Sequence, residues 1–397
     1  MYFLQKLSTI ANTVLHRVNE TPWTRAFIVT TILQAGCVII LESLVLNANQ
    51  DEYDQLGLFN EVYSNTNITV MLPEFNGPVN MAQATAPALD RFNRLKYENI
   101  FFMAFQAFQL WFTFDGLYYH NTIQLIASTL INLLCAAFGV IQILESQKWL
   151  ARVQEIVIAF QITDVQLYLQ VKWIELALTL VMMAFALTLI FMAYKVYKQY
   201  GWVIYKRIGA NITMQGHFKT YQIFIMLMKL NIFFELGFSV YFLIGIADDS
   251  YNWQAVDSSP GLLIFHAVIT GLILPMLFLA YNALRNEYQY LMWLFIAFCL
   301  TAIGDFIYIL GHSIAPQTDD NWFFWIFIIL VSIVLAIITT IYGFLVMGNF
   351  GKGLKAYITR PSSMVLTQTS SGLQEVQGVK PTRWAIEDDL PPVGNPV

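Results

Sequence analysis

The sequence predicts an all-α fold, a polytopic transmembrane helical bundle of about eight spans. Eight apolar stretches are each long enough to cross a bilayer core, which takes about 20 helical residues. The loops between them alternate between basic and acidic composition. Overall composition agrees, because 57% of the 397 residues are hydrophobic and only 12% are charged, against roughly 25% charged residues in soluble domains.

The eight predicted spans cover residues 26–46, 99–119, 122–144, 173–194, 221–246, 261–283, 290–311 and 323–347. The first span begins too late for an ordinary cleaved signal peptide, and no clear small-residue cleavage site accompanies it. We therefore expect a signal anchor followed by a seven-helix transmembrane block over 99–347. Gly237, Gly271 and Gly304 are expected where helices approach closely, since small residues permit close packing in membranes.

Loop charges predict the orientation of the bundle. Lys and Arg collect in cytosolic loops. The stretch 195–219 carries five Lys or Arg and no acid, whereas 248–260 carries three Asp and no base. Eight crossings then place both termini in the cytosol, namely residues 1–25 and the tail 348–397. The end of this tail is rich in Ser, Thr, Pro and Gly, so we predict that it is disordered.

Two longer connections are predicted on the lumenal side. For the lumenal loop 48–97, which is short, polar and rich in turn residues, we expect a small cap or an irregular loop. The second connection, 146–172, has the pattern of an amphipathic element lying in the interface. The glycosylation sequon at Asn67 falls in the first loop and is predicted to carry a glycan. The sequon at Asn211 falls in a basic loop and is predicted to carry none.

Four ionisable residues on four different spans are predicted to lie in the lumenal half of the membrane: Glu42, Glu235, His266 and Asp305. Charge at such depth costs roughly 2.5–3.5 kcal/mol on insertion scales, so it calls for a reason. One hypothesis is a lumen-facing polar cavity that binds a cation or relays protons. The alternative is that each group pairs separately and only holds the bundle together. Because the spacing of a dedicated metal site does not occur, no metal is predicted.

The sequence contains none of the complete enzyme motifs considered, which argues against catalysis. Asp115 and Asp305 superficially resemble the paired aspartates of presenilin-type proteases, but Ala302 replaces the first glycine of the Gly-x-Gly-Asp motif. Helical rise also separates the two aspartates by roughly 15 Å along the membrane normal, whereas carboxylates that share a proton approach to about 3 Å. No other catalytic motif occurs. We predict no catalytic residue, no cofactor and no nucleic-acid partner; the lipid bilayer is the expected environment, and protein partners are not identified.

The connection between the second and third spans is very short. Asp115, Asn121 and Gln124 cluster around it, and Asn121 is placed to cap the third helix through its side chain. This predicts a tight helical hairpin, and the three polar residues are expected to serve structure.

Three sets of short segments stand out along the chain. They are 32–35 with 41–42; then 114–115, 121–125 and 141–142; then 201–202, 205–206, 208–210, 221–224 and 227–229. Taken together they resemble an uncharacterised fungal family of Golgi-apparatus multi-pass membrane proteins. The resemblance extends over most of 26–347 and implies residence in the Golgi membrane. It implies no catalytic or binding residue, because these motifs have no known chemistry.

Two functions follow as expectations. The first is a non-enzymatic Golgi membrane protein with a role in membrane organisation, trafficking or receptor-like recognition. The alternative is a transporter or channel for a cation or small solute, which would pass through the lumenal-side polar cavity.

Overall fold

The structure of the protein is a computed structural model. It describes residues 20–64, 69–72, 77–161, 168–208, 212–247, 260–313 and 323–353. Within these ranges the chain forms eight helices long and apolar enough to cross a membrane. They are α1 (Pro22–Ser64), α2 (Met81–Tyr118), α3 (Thr122–Ala159), α4 (Tyr168–Ile208), α5 (Ile212–Ala247), α6 (Pro260–Asn286), α7 (Gln289–Ser313) and α8 (Phe323–Met347). The predicted all-α polytopic bundle is confirmed, and each predicted span lies within one of these helices to within one residue.

The eight helices pack as two groups of four. In the first group, α1 and α3 each contact both α2 and α4; in the second, α5 and α7 each contact both α6 and α8. We call these the first and second four-helix groups. The first predicted span, expected as a signal anchor before the seven-helix block, packs with the helices that follow it. Helix α1, which contains this span, lies along α2 and α4 as one of the four members of the first group.

A layer of aromatic side chains joins the two groups. Phe101 and Phe105 of α2 contact Phe233 of α5, with ring centroids 5.0 and 5.6 Å apart. Phe101 and Phe138 contact Phe324 of α8 at 5.6 and 5.5 Å. Edge-on and tilted contacts at these separations are favourable for aromatic rings and add to the packing of the apolar surface. The groups therefore share one apolar core.

The helices of the first group extend far beyond a bilayer. With 43, 38 and 38 residues, α1, α2 and α3 are about 57–65 Å long at 1.5 Å per residue, roughly twice the 30 Å hydrocarbon thickness. The excess lies at the end where α1 leads to α2, which we call the cap end. The opposite end, where α2 turns into α3, is the hairpin end.

The cap end has an apolar core of its own. Between α1 and α2 a small antiparallel ribbon, β1 (Val70–Met71) with β2 (Pro78–Val79), closes the connection. The buried members of this cap core are Leu56, Leu72, Val79, Met81, Ala84, Ala88, Phe92, Leu95, Trp149, Val153, Ile156, Val157 and Phe160. Of the predicted loop 48–97, the described residues 48–64, 69–72 and 77–97 form a small cap of helix and ribbon and not an irregular loop.

The residues around Asn80 explain why α2 begins at Met81, well before the predicted span that starts at residue 99. Asn80 accepts a hydrogen bond from the Gln83 backbone N–H at 2.9 Å, and the Gln83 side chain accepts one from the Asn80 backbone N–H at 3.3 Å. This reciprocal capping box fixes the first turn. At the other predicted connection, 146–172, α3 continues to Ala159 and its apolar side chains pack into the cap core. The expected interfacial element is therefore an extension of α3, because its apolar face finds partners on α1 and α2.

Of the three glycines that were expected where helices approach closely, only Gly237 lies at such a contact. A Cβ there would lie 3.2 Å from the ring of Phe101. At Gly271 and Gly304 a Cβ would meet nothing within 4 Å, so the prediction is wrong for these two.

Candidate functional site

Polar residues at the hairpin end form a network across three helices. Asn121 accepts a hydrogen bond from the Gln124 backbone N–H at 3.2 Å and caps α3. The Gln124 side chain donates to the Asp115 carboxylate at 3.0 Å. Lys229 of α5 donates to that same carboxylate and to Gln124 Oε1, the latter at 3.2 Å. The predicted hairpin and its cap are confirmed. Sequence reasoning missed the link to Lys229, which no local signal reveals.

The structure brings together two of the four predicted intramembrane residues. His266 Nδ1 of α6 and Asp305 Oδ2 of α7 lie 2.5 Å apart, and both side chains are buried. The rings of Phe238, Phe242 and Phe306 surround the imidazole. The buried pair is packed against these aromatic rings, which is the arrangement expected of a closed structural pair.

Glu235 belongs to a row of buried polar residues on α5. Asn231, Glu235 and Ser239 are spaced by four and share one helix face, and all three are buried. Asn231 donates to Thr339 of α8 at 3.0 Å. Within the described residues, Asn231 Oδ1, Glu235 Oε1 and Ser239 Oγ have no hydrogen-bond partner. We call this row the α5 polar stripe. It leads toward His266, whose Nε2 lies 3.5 Å from the Ser239 carbonyl oxygen.

Glu42 lies in the first four-helix group, among other buried carboxylates. It interacts electrostatically with Glu98 of α2 and Glu175 of α4, and Glu52 also interacts with Glu175. Arg91 donates to Glu98 at 2.7 Å, with both side chains almost fully buried. The sequence prediction grouped Glu42 with three residues that lie in the second four-helix group. Glu52, Arg91 and Glu98 were missed because they fall outside the predicted spans or at their edges.

A second polar layer of the first group lies nearer the hairpin end. Gln34 and Asn132 exchange two side-chain hydrogen bonds at 2.8 and 3.0 Å, and Gln34 also donates to Gln106 at 3.3 Å. These three residues tie α1, α2 and α3 together.

Toward the cap, the four helices of the first group enclose a cavity, which we call the chamber. Its volume is about 30 Å³ as the space open to water centres. Its lining includes Asn49, Glu52, Arg91, Phe92, Leu95, Gln142, Ser146, Gln147, Trp149, Val171 and Lys172. Asn49, Glu52, Gln142 and Trp149 are each at most 5% exposed. In the described ranges Glu52 Oε1, Asn49 Nδ2, Gln142 Nε2 and Trp149 Nε1 make no hydrogen bond.

In the described part of the chain, no three His, Cys, Asp or Glu side chains are placed together so that they could hold a metal ion. The predicted glycosylation site Asn67, the sequon at Asn211 and the tail beyond residue 353 lie outside the described residues.

Comparison with known proteins gives one informative similarity. Over 171 residues the chain is 29% identical to a UPF0658 Golgi apparatus membrane protein of Schizosaccharomyces pombe. The aligned part covers 40% of this chain and 44% of that relative, so it spans less than half of either protein. No protein-family profile matches the chain, and no solved structure matches it. The similarity supports the resemblance to uncharacterised fungal Golgi membrane proteins.

Proposed function

From its place as a multi-pass membrane protein of the Golgi apparatus, we propose that this chain is a non-enzymatic recognition protein. In this proposal the cap presents a surface to a protein partner, and the membrane bundle below holds the cap in position. The loop charges predict that the cap faces the lumen. The role is closest to receptor-like recognition in trafficking or membrane organisation.

The cap core supports the proposal. Three helices continue past the bilayer and bury Leu56, Phe92 and Trp149 together, so the extension is a folded unit with a fixed surface. On α1 beyond the predicted span, Leu58 and Val62 are 61% and 66% exposed. Their spacing of four places them on one helix face. Exposed apolar side chains that adjoin each other outside the bilayer are candidates for contact with a partner.

Charges within the membrane support a rigid bundle under the cap. Lys229 is engaged by Asp115 and Gln124, and Asp305 is engaged by His266. Charge pairs of this kind hold neighbouring helices in register. A transport path at the same depth would need such groups open to water.

Site-specific photocrosslinking tests the recognition proposal. A photoreactive residue replaces Leu58 or Val62 in the full-length chain expressed in Golgi membranes. We expect a discrete protein adduct at both positions. The matched control is Leu130, which is 56% exposed on a membrane-spanning part of α3 and should label lipid. If positions 58 and 62 also give lipid alone, the cap has no protein partner and the proposal is wrong.

The α5 polar stripe favours a second candidate, movement of protons or a small cation through the second four-helix group. Glu235 Oε1 and Ser239 Oγ lack partners within the described residues, and the Ser239 carbonyl oxygen on the same helix lies 3.5 Å from His266 Nε2. Glu235→Gln and Asp305→Asn retain size and remove charge. If the stripe conducts, each variant changes lumenal pH or metal content while localisation stays normal. Unchanged lumenal composition rejects this candidate and leaves the recognition proposal standing.

A further inference from the structure

The chamber lies at the level where the predicted spans of the first group end. The first and third spans are predicted to end at residues 46 and 144, and the chamber is lined by Asn49 and Gln142. The fourth span is predicted to begin at residue 173, next to the lining residue Lys172. The walls are therefore at the height of the lipid headgroups, at the junction of membrane and cap.

The chamber is accessible between α3 and α4. Its lining residues on α1 and α2 are all buried, whereas Gln147 of α3 is exposed and Ser146 of α3 and Lys172 of α4 are half-buried. A ligand can therefore enter from this side and place its leading groups among the covered polar side chains, while the rest of the ligand stays outside.

The polar atoms of the chamber include more donors than acceptors. Within the described residues, Asn49 Nδ2, Gln142 Nε2 and Trp149 Nε1 are buried donors without an acceptor. Glu52 Oε1 is a buried oxygen without a hydrogen-bond partner in the same ranges. Leaving such groups unsatisfied is costly, so an occupant that offers several acceptors and at least one donor is stabilised.

The charges at the chamber favour a neutral occupant. Its lining carries the basic residues Arg91 and Lys172 and the acidic residue Glu52. Arg91 donates to Glu98 of the same helix at 2.7 Å, and Lys172 is opposite in sign to Glu52. Because burying a further charge requires a counter-charge, a neutral polar group fits this mixture better than a cation or an anion does.

We propose that the chamber binds a pair of adjacent hydroxyl groups of a sugar ligand. Two hydroxyls are two water-sized groups, and a volume of about 30 Å³ holds roughly that number. Each hydroxyl has one O–H donor and two lone pairs, so the pair accepts from Asn49, Gln142 and Trp149. One hydroxyl also bonds Glu52, and because it both donates and accepts it suits either protonation state of that side chain. A neutral glycolipid headgroup and a soluble sugar offer this same chemistry, and the site does not depend on what the cap recognises.

Lipid retention tests the site in the full-length protein. The purified chain is placed in phosphatidylcholine nanodiscs that contain equal minor fractions of galactosyl diacylglycerol, diacylglycerol with the same chains, and phosphatidic acid, and retained lipid is measured by native mass spectrometry. Retention of the galactolipid over diacylglycerol by about tenfold or more, as two or more neutral hydrogen bonds would give, identifies a lipid ligand. In a separate arm, methyl galactoside is titrated into the protein in phosphatidylcholine nanodiscs, and a saturable rise of the unfolding midpoint identifies a soluble ligand.

Trp149→Phe should weaken sugar binding about fivefold, because it removes one N–H donor to a hydroxyl and retains an aromatic ring. Trp173→Phe is the matched control and should leave binding unchanged, since Trp173 is 65% exposed on α4 and lies outside the chamber lining. If Trp149→Phe fails to fold, Asn49→Leu removes another of the donors and should weaken binding to a similar extent.

Three results would overturn the proposal. In the first, the wild-type protein prefers neither the galactolipid nor the soluble sugar, and the chamber holds only water. In the second, phosphatidic acid is retained more strongly than the galactolipid, and the chamber is an anion site beside Lys172. In the third, the sugar preference survives in Trp149→Phe (or in Asn49→Leu, where the first variant does not fold) or falls equally in Trp173→Phe.

Discussion

Lys229 of α5 donates to the carboxylate of Asp115 on α2, and this ion pair joins the two four-helix groups at the hairpin end. Both side chains are 16% exposed, so the charges are largely removed from water. Gln124 of α3 contacts both partners, donating to Asp115 and accepting from Lys229. One amide thus sets the relative position of α2, α3 and α5.

Removing one partner of this pair should destabilise the bundle strongly. Asp115→Asn or Lys229→Met leaves the other charge without its counter-charge, which costs on the order of 3 kcal/mol in buried pairs. The double variant should cost less than the sum of the two single variants, because it leaves no isolated charge. Unfolding in mixed micelles measures all three. The control is Lys219→Met, an exposed lysine of the same helix, which should change stability by less than about 0.5 kcal/mol. Additive costs would show that the pair is not coupled.

This network shows which parts of the site the sequence could predict. The capping role of Asn121 was predictable because a cap acts within three residues of its own helix. The pairing of Lys229 with Asp115 joins positions 114 residues apart, and helical rise alone fixes only how deep each side chain lies. The depths predicted for Glu42 and Asp305 are similar, but the packing of the helices places the two residues in different four-helix groups.

Close packing at Gly139 gives a second prediction. A Cβ at this position of α3 would lie 3.0 Å from Thr179 Oγ1 on α4. Gly139→Val therefore requires the buried Thr179 side chain or α4 to shift, and we expect a cost of about 1–3 kcal/mol for overpacking. Gly271→Val is the control, because a Cβ there meets nothing within 4 Å. Thermal unfolding of the two variants in the same detergent gives the comparison, and equal midpoints would contradict the predicted difference.

The glycines also show that composition alone does not predict which small residues face a neighbouring helix. Gly237, Gly271 and Gly304 are indistinguishable as small residues within apolar spans, and only Gly237 faces a neighbouring side chain, Phe101. Gly139 meets Thr179 as closely as any of them meets a neighbour. Whether a glycine faces lipid or another helix depends on the rotation of its helix, which a uniformly apolar span does not reveal.

The reciprocal amide pair of Gln34 and Asn132 gives a third prediction, on the role of α1. Gln34→Leu removes both hydrogen bonds to Asn132 and leaves its buried amide without these partners. Polar contacts between membrane helices contribute roughly 0.6–2 kcal/mol, so we expect a loss in that range. The double variant Gln34→Leu/Asn132→Leu should recover part of it, since both polar groups are gone. The measurement is reversible unfolding of the full chain. An unchanged midpoint in Gln34→Leu would mean that the amide pair does not contribute to the attachment of α1.

The orientation predicted from loop charge can be tested at the two sequons. Asn67 belongs to the connection at the cap end, between α1 and β1, and Asn211 to the connection between α4 and α5 at the hairpin end. Two connections at opposite ends of one bundle cannot both face the lumen. We expect a glycosidase-sensitive mass shift that Asn67→Gln abolishes and Asn211→Gln leaves intact. A shift that depends on Asn211 would reverse the orientation and place the cap in the cytosol. The proposed partner of Leu58 and Val62 would then have to be sought on that side of the Golgi membrane.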